Sequence, residues 1–252
     1  MEGDNMLNAI YIIWLREIKK FIRDRSRLVS SIAQPLIWLL LFGTGLGAAF
    51  GKVGDLQYIQ FMFPGILVMT ILFSSMFSAI SIIWDRQFGF LKEMLVAPIS
   101  RTSIAIGKSI GGASRSTIQG LIILIFSPIL GIKLTLTKFL MIAPLMFFIA
   151  FTISGLGIII AARMESFEGF NLIINFIIMP MFLLSGAIFP ISNLPSWLSV
   201  IVNINPLSYG VDIMRWVMTG VTERGAFLDL TVLMLVSVIS TTVSVYLFSK
   251  GK

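Results

Sequence analysis

The chain has no cysteine and no histidine in 252 residues, and only 12% of it is charged. The first two absences remove disulfides, thiolate nucleophiles, imidazole bases and the usual zinc and haem ligands. The third stands against about 25% charged residues in soluble domains. With 57% apolar residues and a mean hydropathy of +0.96, it marks an integral membrane protein. A compact apolar stretch ending in a small-residue cleavage site is also missing near the N-terminus, so no cleavable signal is expected. A net charge of +7 would suggest nucleic acid in a soluble protein. In a membrane chain the basic residues are sorted by side instead, and no nucleic-acid partner is expected.

Two further absences narrow the function. Ile106-Gly107-Lys108-Ser109 resembles the end of a phosphate-binding loop, but Thr102 stands where the motif needs glycine and no strand precedes it. No nucleotide or other cofactor is expected on this chain. The carboxylates Asp24, Asp85, Glu93, Glu165 and Glu168 fall at one predicted face, and Asp55, Asp212, Glu223 and Asp229 at or near the other. None sits in the middle of a span, which disfavours ion coupling and an intramembrane carboxylate hydrolase.

What is present is a series of apolar runs. Six approach the roughly 20 residues a spanning helix needs: 32–50, 61–84, 110–130, 139–162, 170–189 and 228–248. The third is interrupted by Arg115 and Gln119, so its inner half is expected either to project into the cytoplasm or to face a protein interior. Lysine and arginine divide thirteen to five between the two sets of connections, with Arg115 uncounted. The richer side is expected to be cytoplasmic, and it carries both termini. The expectation is an all-α integral membrane protein with six transmembrane helices, forming a single domain over 1–252 in the cell membrane.

Segment 7–27 carries Leu7, Ile10, Tyr11, Trp14, Leu15, Ile18, Phe21 and Ile22 along one arc of a helix. Arg16, Lys19, Lys20, Arg23 and Asp24 lie on the other side, with Ile12 and Ile13 as exceptions. This pattern predicts an amphipathic helix in the inner interface, its basic face toward anionic headgroups. In 85–101, Phe88, Leu91, Met94 and Leu95 recur at helical spacing, with Arg86, Lys92 and Glu93 off the stripe. Pro98 ends that segment, and Ser100, Thr102 and Ser103 offer caps to the next helix. A plain solvated loop has no use for so many apolar side chains, so a short helix built to be gripped is expected.

On the outer side, 186–216 is apolar but cut by Pro190, Pro195 and Pro206. Asn205-Pro206 predicts a cap and first turn, and Pro195 before Trp197 predicts another. An apolar, helix-broken stretch at this depth reads as a re-entrant or interfacial helix pair. Within the spans, Ser74, Ser75, Ser78, Ser81, Thr152, Ser154, Asn171 and Asn175 are open to two readings, helix-to-helix hydrogen bonding or a pathway for an amphiphile, with Ser74, Ser78, Asn171 and Asn175 the pathway candidates. Gly43, Gly47 and Gly51 allow a close helix approach, within the chain or between copies.

The pair "RQFGFLKEMLVAPISR" and "SGAIFPISNLPSWLSVIVNINPLSYGVDIMR", in this order between spans two and three and spans five and six, resembles the ABC-2 family, the permease half of ATP-binding-cassette exporters. The resemblance covers essentially the whole chain. It implies a non-enzymatic transport subunit that works as a dimer, here a homodimer, with two ATPase subunits on separate chains holding ATP and Mg. It assigns ATPase coupling to Gly89, Leu91, Lys92, Glu93, Leu95, Pro98 and Arg101. It assigns secondary contacts to Trp14, Arg16, Glu17 and Phe21 of an interface helix, and it makes Pro190, Pro195, Trp197 and Pro206 part of re-entrant helices capping the path. The implied cargo is an amphipathic drug, lipid or lipid-linked glycan. A membrane scaffold that moves nothing and an ion-coupled secondary carrier remain alternatives; dependence on ATP rather than a proton gradient separates them.

Overall fold

The computed structural model describes residues 2–89, 99–164, 166–191 and 194–250. Helix α1 (Glu2–Arg23) meets α2 (Arg25–Phe50) across Asp24, and a minimal hairpin of β1 (Lys52–Val53) and β2 (Leu56–Gln57) leads into α3 (Tyr58–Gln87). Next come α4 (Arg101–Leu124), a 3-10 turn at Ser127–Leu130 and α5 (Leu136–Arg163). Helices α6 (Phe167–Ile173) and α7 (Met179–Leu183) are joined through a π segment, Ile174–Ile178. The chain closes with α8 (Ser196–Ile204), α9 (Pro206–Thr219) and α10 (Ala226–Lys250). The hairpin, in register Lys52 with Gln57, corrects the all-α expectation to nearly all-α.

Helices α3, α4 and α5 pack on one another and form the core, with α1 laid along α4, α2 against α3, and α10 against α5 and α9. Phe63, Ile66, Leu67, Ile71 and Leu72 of α3 are fully buried. Peripheral α2 and α10 instead expose Leu40, Leu41, Leu235, Val238 and Ile239, which costs nothing where the solvent is hydrocarbon. The core contacts are closed by small residues, as expected in lipid. Ser75 Oγ bonds Ser116 Oγ at 2.9 Å, and Ser244 Oγ donates to the Gly155 carbonyl at 2.9 Å. Ser75 thus follows the helix-contact reading. Of the glycine series, Gly43 meets Ile59 of the same chain, while Gly51 faces open space at φ +62°.

Four helical stretches among the described residues are long and apolar enough to cross a membrane: Leu28–Phe50, Tyr58–Gln87, Leu136–Arg163 and Ala226–Leu247. Phe167–Leu183 is a shorter apolar helix. The helix at the third expected span, α4, begins at Arg101 rather than near Ile110. Ser100 caps α4, accepting from the Ser103 amide, and the first half of the helix faces the protein interior, with Ser103, Lys108 and Ser109 buried.

The segment after α7 is built as its prolines predict. Pro195 caps α8, and the Asn205 side chain accepts from the Leu207 amide while Pro206 occupies the first turn of α9. Trp197 is exposed. Gly65 of α3 lets this segment close down: a Cβ there would stand 2.6 Å from the Ala187 backbone.

Candidate functional site

Helix α1 reaches α4 because α4 offers glycine at two positions one turn apart. A Cβ on Gly107 would meet Ile13 Cβ at 2.9 Å, and one on Gly111 would meet Glu17 Cβ at 2.8 Å. The face of α1 turned into the protein is therefore Ala9, Ile13, Glu17 and Phe21, all buried. Ile13, an exception to the predicted apolar arc, belongs to this contact, whereas Leu7, Tyr11 and Ile22 of that arc are exposed. The basic side also differs from expectation, because Arg16 and Lys20 turn toward a carboxylate of α3.

Burying Glu17 on α4 requires cations, and α4 supplies them at Lys108 and Arg115, seven residues apart and so on one helix face. Lys108 Nζ lies 3.5 Å from Glu17 Oε1 and 2.6 Å from Asp85 Oδ2. Arg115 Nη2 lies 3.6 Å from Glu17 Oε2 and bonds Ser78 Oγ. Arg16 Nη2 donates to Asp85 Oδ1 at 3.1 Å, and Lys20 Nζ stands 4.0 Å from the same oxygen. Burial opposes ionisation of Glu17, but Lys108 and Arg115 outweigh it and hold its carboxyl below the usual 4.5. Trp14 adds a neutral tie, donating from Nε1 to Ser114 Oγ at 3.0 Å.

The same end of α3 is pinned to α5. Arg86 donates from both terminal nitrogens to the carbonyls of Ala162 and Met164 at 2.8 Å, satisfying the otherwise open end of that helix. Trp84 lies against Phe88 and Phe167, with ring centroids 5.3 and 4.8 Å away. Helices α1, α3, α4 and α5 are thus fastened together around the point where α3 gives way to the 88–100 connection.

Beside this junction lies an open cavity of about 610 Å³ between α1, α2, α3 and α4. Phe21, Met69, Phe73, Phe77 and Trp84 give it apolar walls, and Lys20, Arg115, Gln119, Ser31, Ser74 and Ser78 bring polar groups to it.

The expected coupling, interface-helix and pathway residues fall into four sets. Trp14, Arg16, Glu17 and Phe21 meet at the junction or the cavity, and Ser74 and Ser78 line the cavity, whereas Asn171 and Asn175 are exposed elsewhere, on α6 and the π segment. Gly89 follows α3 with φ +78°, and Arg101 opens α4. Leu91, Lys92, Glu93, Leu95 and Pro98 lie outside the described residues.

Sequence reasoning missed Lys108 as the centre of the ion network and Asp85 as its partner. The Gly107, Lys108, Gly111, Arg115 face of α4 was the available signal, and it is the stretch whose resemblance to a phosphate-binding loop had failed. The buried lysine binds carboxylates of its own chain.

A second charged cluster ties together the segment between α7 and α10. The Asp212 carboxylate accepts from the amides of Glu223 at 3.0 Å and Arg224 at 2.9 Å, and from Thr222 Oγ1 at 3.1 Å. Arg215, 2% exposed, donates to the carbonyls of Gly186 at 2.6 Å and Phe61 at 3.3 Å, and its guanidinium lies 4.0 Å from the centroid of the Phe61 ring. Glu223, 3.9 Å from Arg215, is partly buried, and burial pushes its carboxyl above the usual 4.5.

These features define a multi-pass helical membrane protein with two clusters of buried charge. Residues 8–219 match the ABC-2 type transporter family, and the chain belongs to that family. It is 34% identical over 216 residues to a protein of Cyanophora paradoxa named transport permease ycf38, covering 83% of this chain and 74% of that one. It is 27% identical over 227 residues to nodulation protein J of Rhizobium leguminosarum bv. viciae, covering 89% and 87%. It is 23% identical over 217 residues to the inner membrane transport permease YadH of Escherichia coli K12, covering 85% and 84%. The chain is a membrane transport permease of this family.

Proposed function

We propose that the chain is the membrane subunit of an ATP-driven exporter. It pairs with a second copy and with two ATPase chains that hold ATP and Mg, and it moves an amphipathic substrate outward from a membrane in which both termini are cytoplasmic. The observation that carries this reading is the junction at the 88–100 connection. Transmitting work from a soluble motor requires a stiff element at the point of attack, and the ion pairs of Glu17, Asp85, Lys108 and Arg115 fasten α1, α3 and α4 together there. Gly89, Leu91, Lys92, Glu93, Leu95, Pro98 and Arg101 supply the contact with the ATPase, and Trp14, Arg16, Glu17 and Phe21 extend it. The outer helices around Pro190, Pro195, Trp197 and Pro206 cap the path. ATP binding favours one of two states of the assembly, and the difference in its affinity for the two supplies the bias.

The test is Glu93→Lys and Leu95→Asp in the assembled complex. Each is expected to weaken ATPase association and lower transport, while the isolated permease keeps its thermal stability. Unchanged association and transport in both variants would overturn the assignment. Transport sustained by a proton gradient without ATP would favour the carrier reading.

A further inference from the structure

Asp229 stands in the first turn of α10 and is 0% exposed. Both of its carboxyl oxygens are buried and have no hydrogen-bond partner among the described residues. An ionised carboxylate so placed loses its hydration and gains no donor in exchange, and a buried group in that position is held neutral instead.

The charged neighbours are engaged elsewhere. Arg215 of α9 binds the carbonyls of Gly186 and Phe61 and stands near Glu223. Arg224, in the turn before α10, is close enough to act on Asp229, but its Nη2 donates to Asn203 Oδ1 at 3.1 Å and its guanidinium lies 4.8 Å from the Tyr209 ring centroid. On α5, which packs against α10, Lys138 donates to the Met218 carbonyl at 2.6 Å. On α4, Lys108 and Arg115 are paired with Glu17. The position at the start of a helix and the field of Arg224 favour a negative charge, yet neither brings a hydrogen to the Asp229 oxygens.

The side chain within hydrogen-bonding reach of Asp229 is Asp212. As carboxylates the two are acceptors only, and they repel. Asp212 already accepts from Thr222 Oγ1 at 3.1 Å and from the amides of Glu223 at 3.0 Å and Arg224 at 2.9 Å, the bonding of an ionised group. A hydrogen between the two carboxyls therefore belongs on Asp229.

We propose that Asp229 and Asp212 form a proton-binding site, in which Asp229 takes a proton from solvent and donates it in a hydrogen bond to Asp212. The bound proton joins α10 to α9 and to the 220–225 turn that Asp212 shapes. When it leaves, two buried carboxylates face each other and the first turn of α10 parts from that turn. The fold is thus strengthened while the proton is held and weakened as pH rises through its release. The proton is a latch within one chain, neither cargo nor driving ion, and it stands independently of the export reading.

The test uses the purified full chain in phosphatidylcholine discs, with and without isotope-labelled aspartate. Infrared difference spectra between the two report a protonated aspartic acid by its carbonyl stretch. The wild type is expected to show such a band at about pH 6, where exposed aspartates are ionised, and to lose it by about pH 9, a range reached by buried carboxyls. Asp229→Asn should lack the band, and Glu223→Gln should keep it. Over the same rise in pH, hydrogen exchange corrected for its intrinsic rate should quicken about tenfold at 220–225 and the start of α10, equivalent to about 1.4 kcal/mol. It should stay level in Asp229→Asn, whose side-chain amide can donate to Asp212 at every pH. Absence of the wild-type band at about pH 6 would overturn the proposal, and that result stands however well the variants fold. A band surviving in Asp229→Asn, or exchange in that variant that still quickens with pH, would overturn it too.

Discussion

The two charged ends of the molecule are built on opposite plans. At the α1 end, carboxylates meet cations from helices far apart in sequence, Glu17 with Lys108 and Arg115, Asp85 with Arg16 and Lys108. At the other end Asp212 is met by backbone amides only about ten residues away, and Arg215 grips backbone carbonyls. The first arrangement exists only once α1, α3 and α4 have packed, and it fastens them into one unit. The second shapes a single segment and seats it on α3. One end ties helices to one another, the other holds a single segment in shape.

The comparison is broken most sharply at Lys108. Lys108→Met leaves Glu17 and Asp85 buried without their shared cation, and removing one partner of a buried pair costs about 3–5 kcal/mol. Thermal unfolding should shift strongly downward, with α1 the first element to gain deuterium. Asp212→Ala strands amides of a partly exposed turn that water can partly recover, so about 2–3 kcal/mol is expected. Its exchange should rise around residues 220–225 while α1 stays protected. Asn205→Ala removes a helix cap and the bond from Asn205 Nδ2 to the Met181 carbonyl at 2.6 Å, for about 1–2 kcal/mol, and is read by increased exchange at the start of α9.

Acid sharpens the comparison with a smaller effect of opposite sign at the two ends. The carboxyl of Glu17 is held below 4.5, so its contribution is present above that pH and is lost as pH falls through the lowered value. The carboxyl of Glu223 is raised above 4.5 by burial, so the fold pays for its ionised form and gains as pH falls through the raised value. Hydrogen exchange between pH 7 and 4 should show the 220–225 turn tightening first and α1 loosening last.

Legibility in the sequence follows the same division. Asn205-Pro206, Pro195 and Ser100 were readable because a cap is a local event: one side chain, one amide two or three residues on. Membrane class and most helices were readable because apolar length is also local. The ion network was not, since Glu17 and Lys108 are 91 residues apart and a pairing at that distance leaves no periodic trace in either helix. The face of α1 that packs on α4 was not legible, for a related reason. Periodicity finds the most apolar arc, but in lipid that arc can face outward, and the glycines of α4 decide which side turns in. Asn171 and Asn175 were grouped with Ser74 and Ser78 by chemistry alone, and the fold separates them.

The absence of natural cysteine makes the fastening of α1 directly measurable. Nitroxide labels at Tyr11→Cys on α1 and Ile118→Cys on α4, both exposed positions, report the spacing of the two helices by pulsed electron resonance. With the intact network, the chain assembled with the ATPase partner proposed above should keep one narrow distance with and without ATP, and Glu17→Gln should broaden it. A wild-type distance that moves by more than about one helical turn, roughly 5 Å, on adding ATP would contradict the account, as would a Glu17→Gln distribution no broader than the wild type.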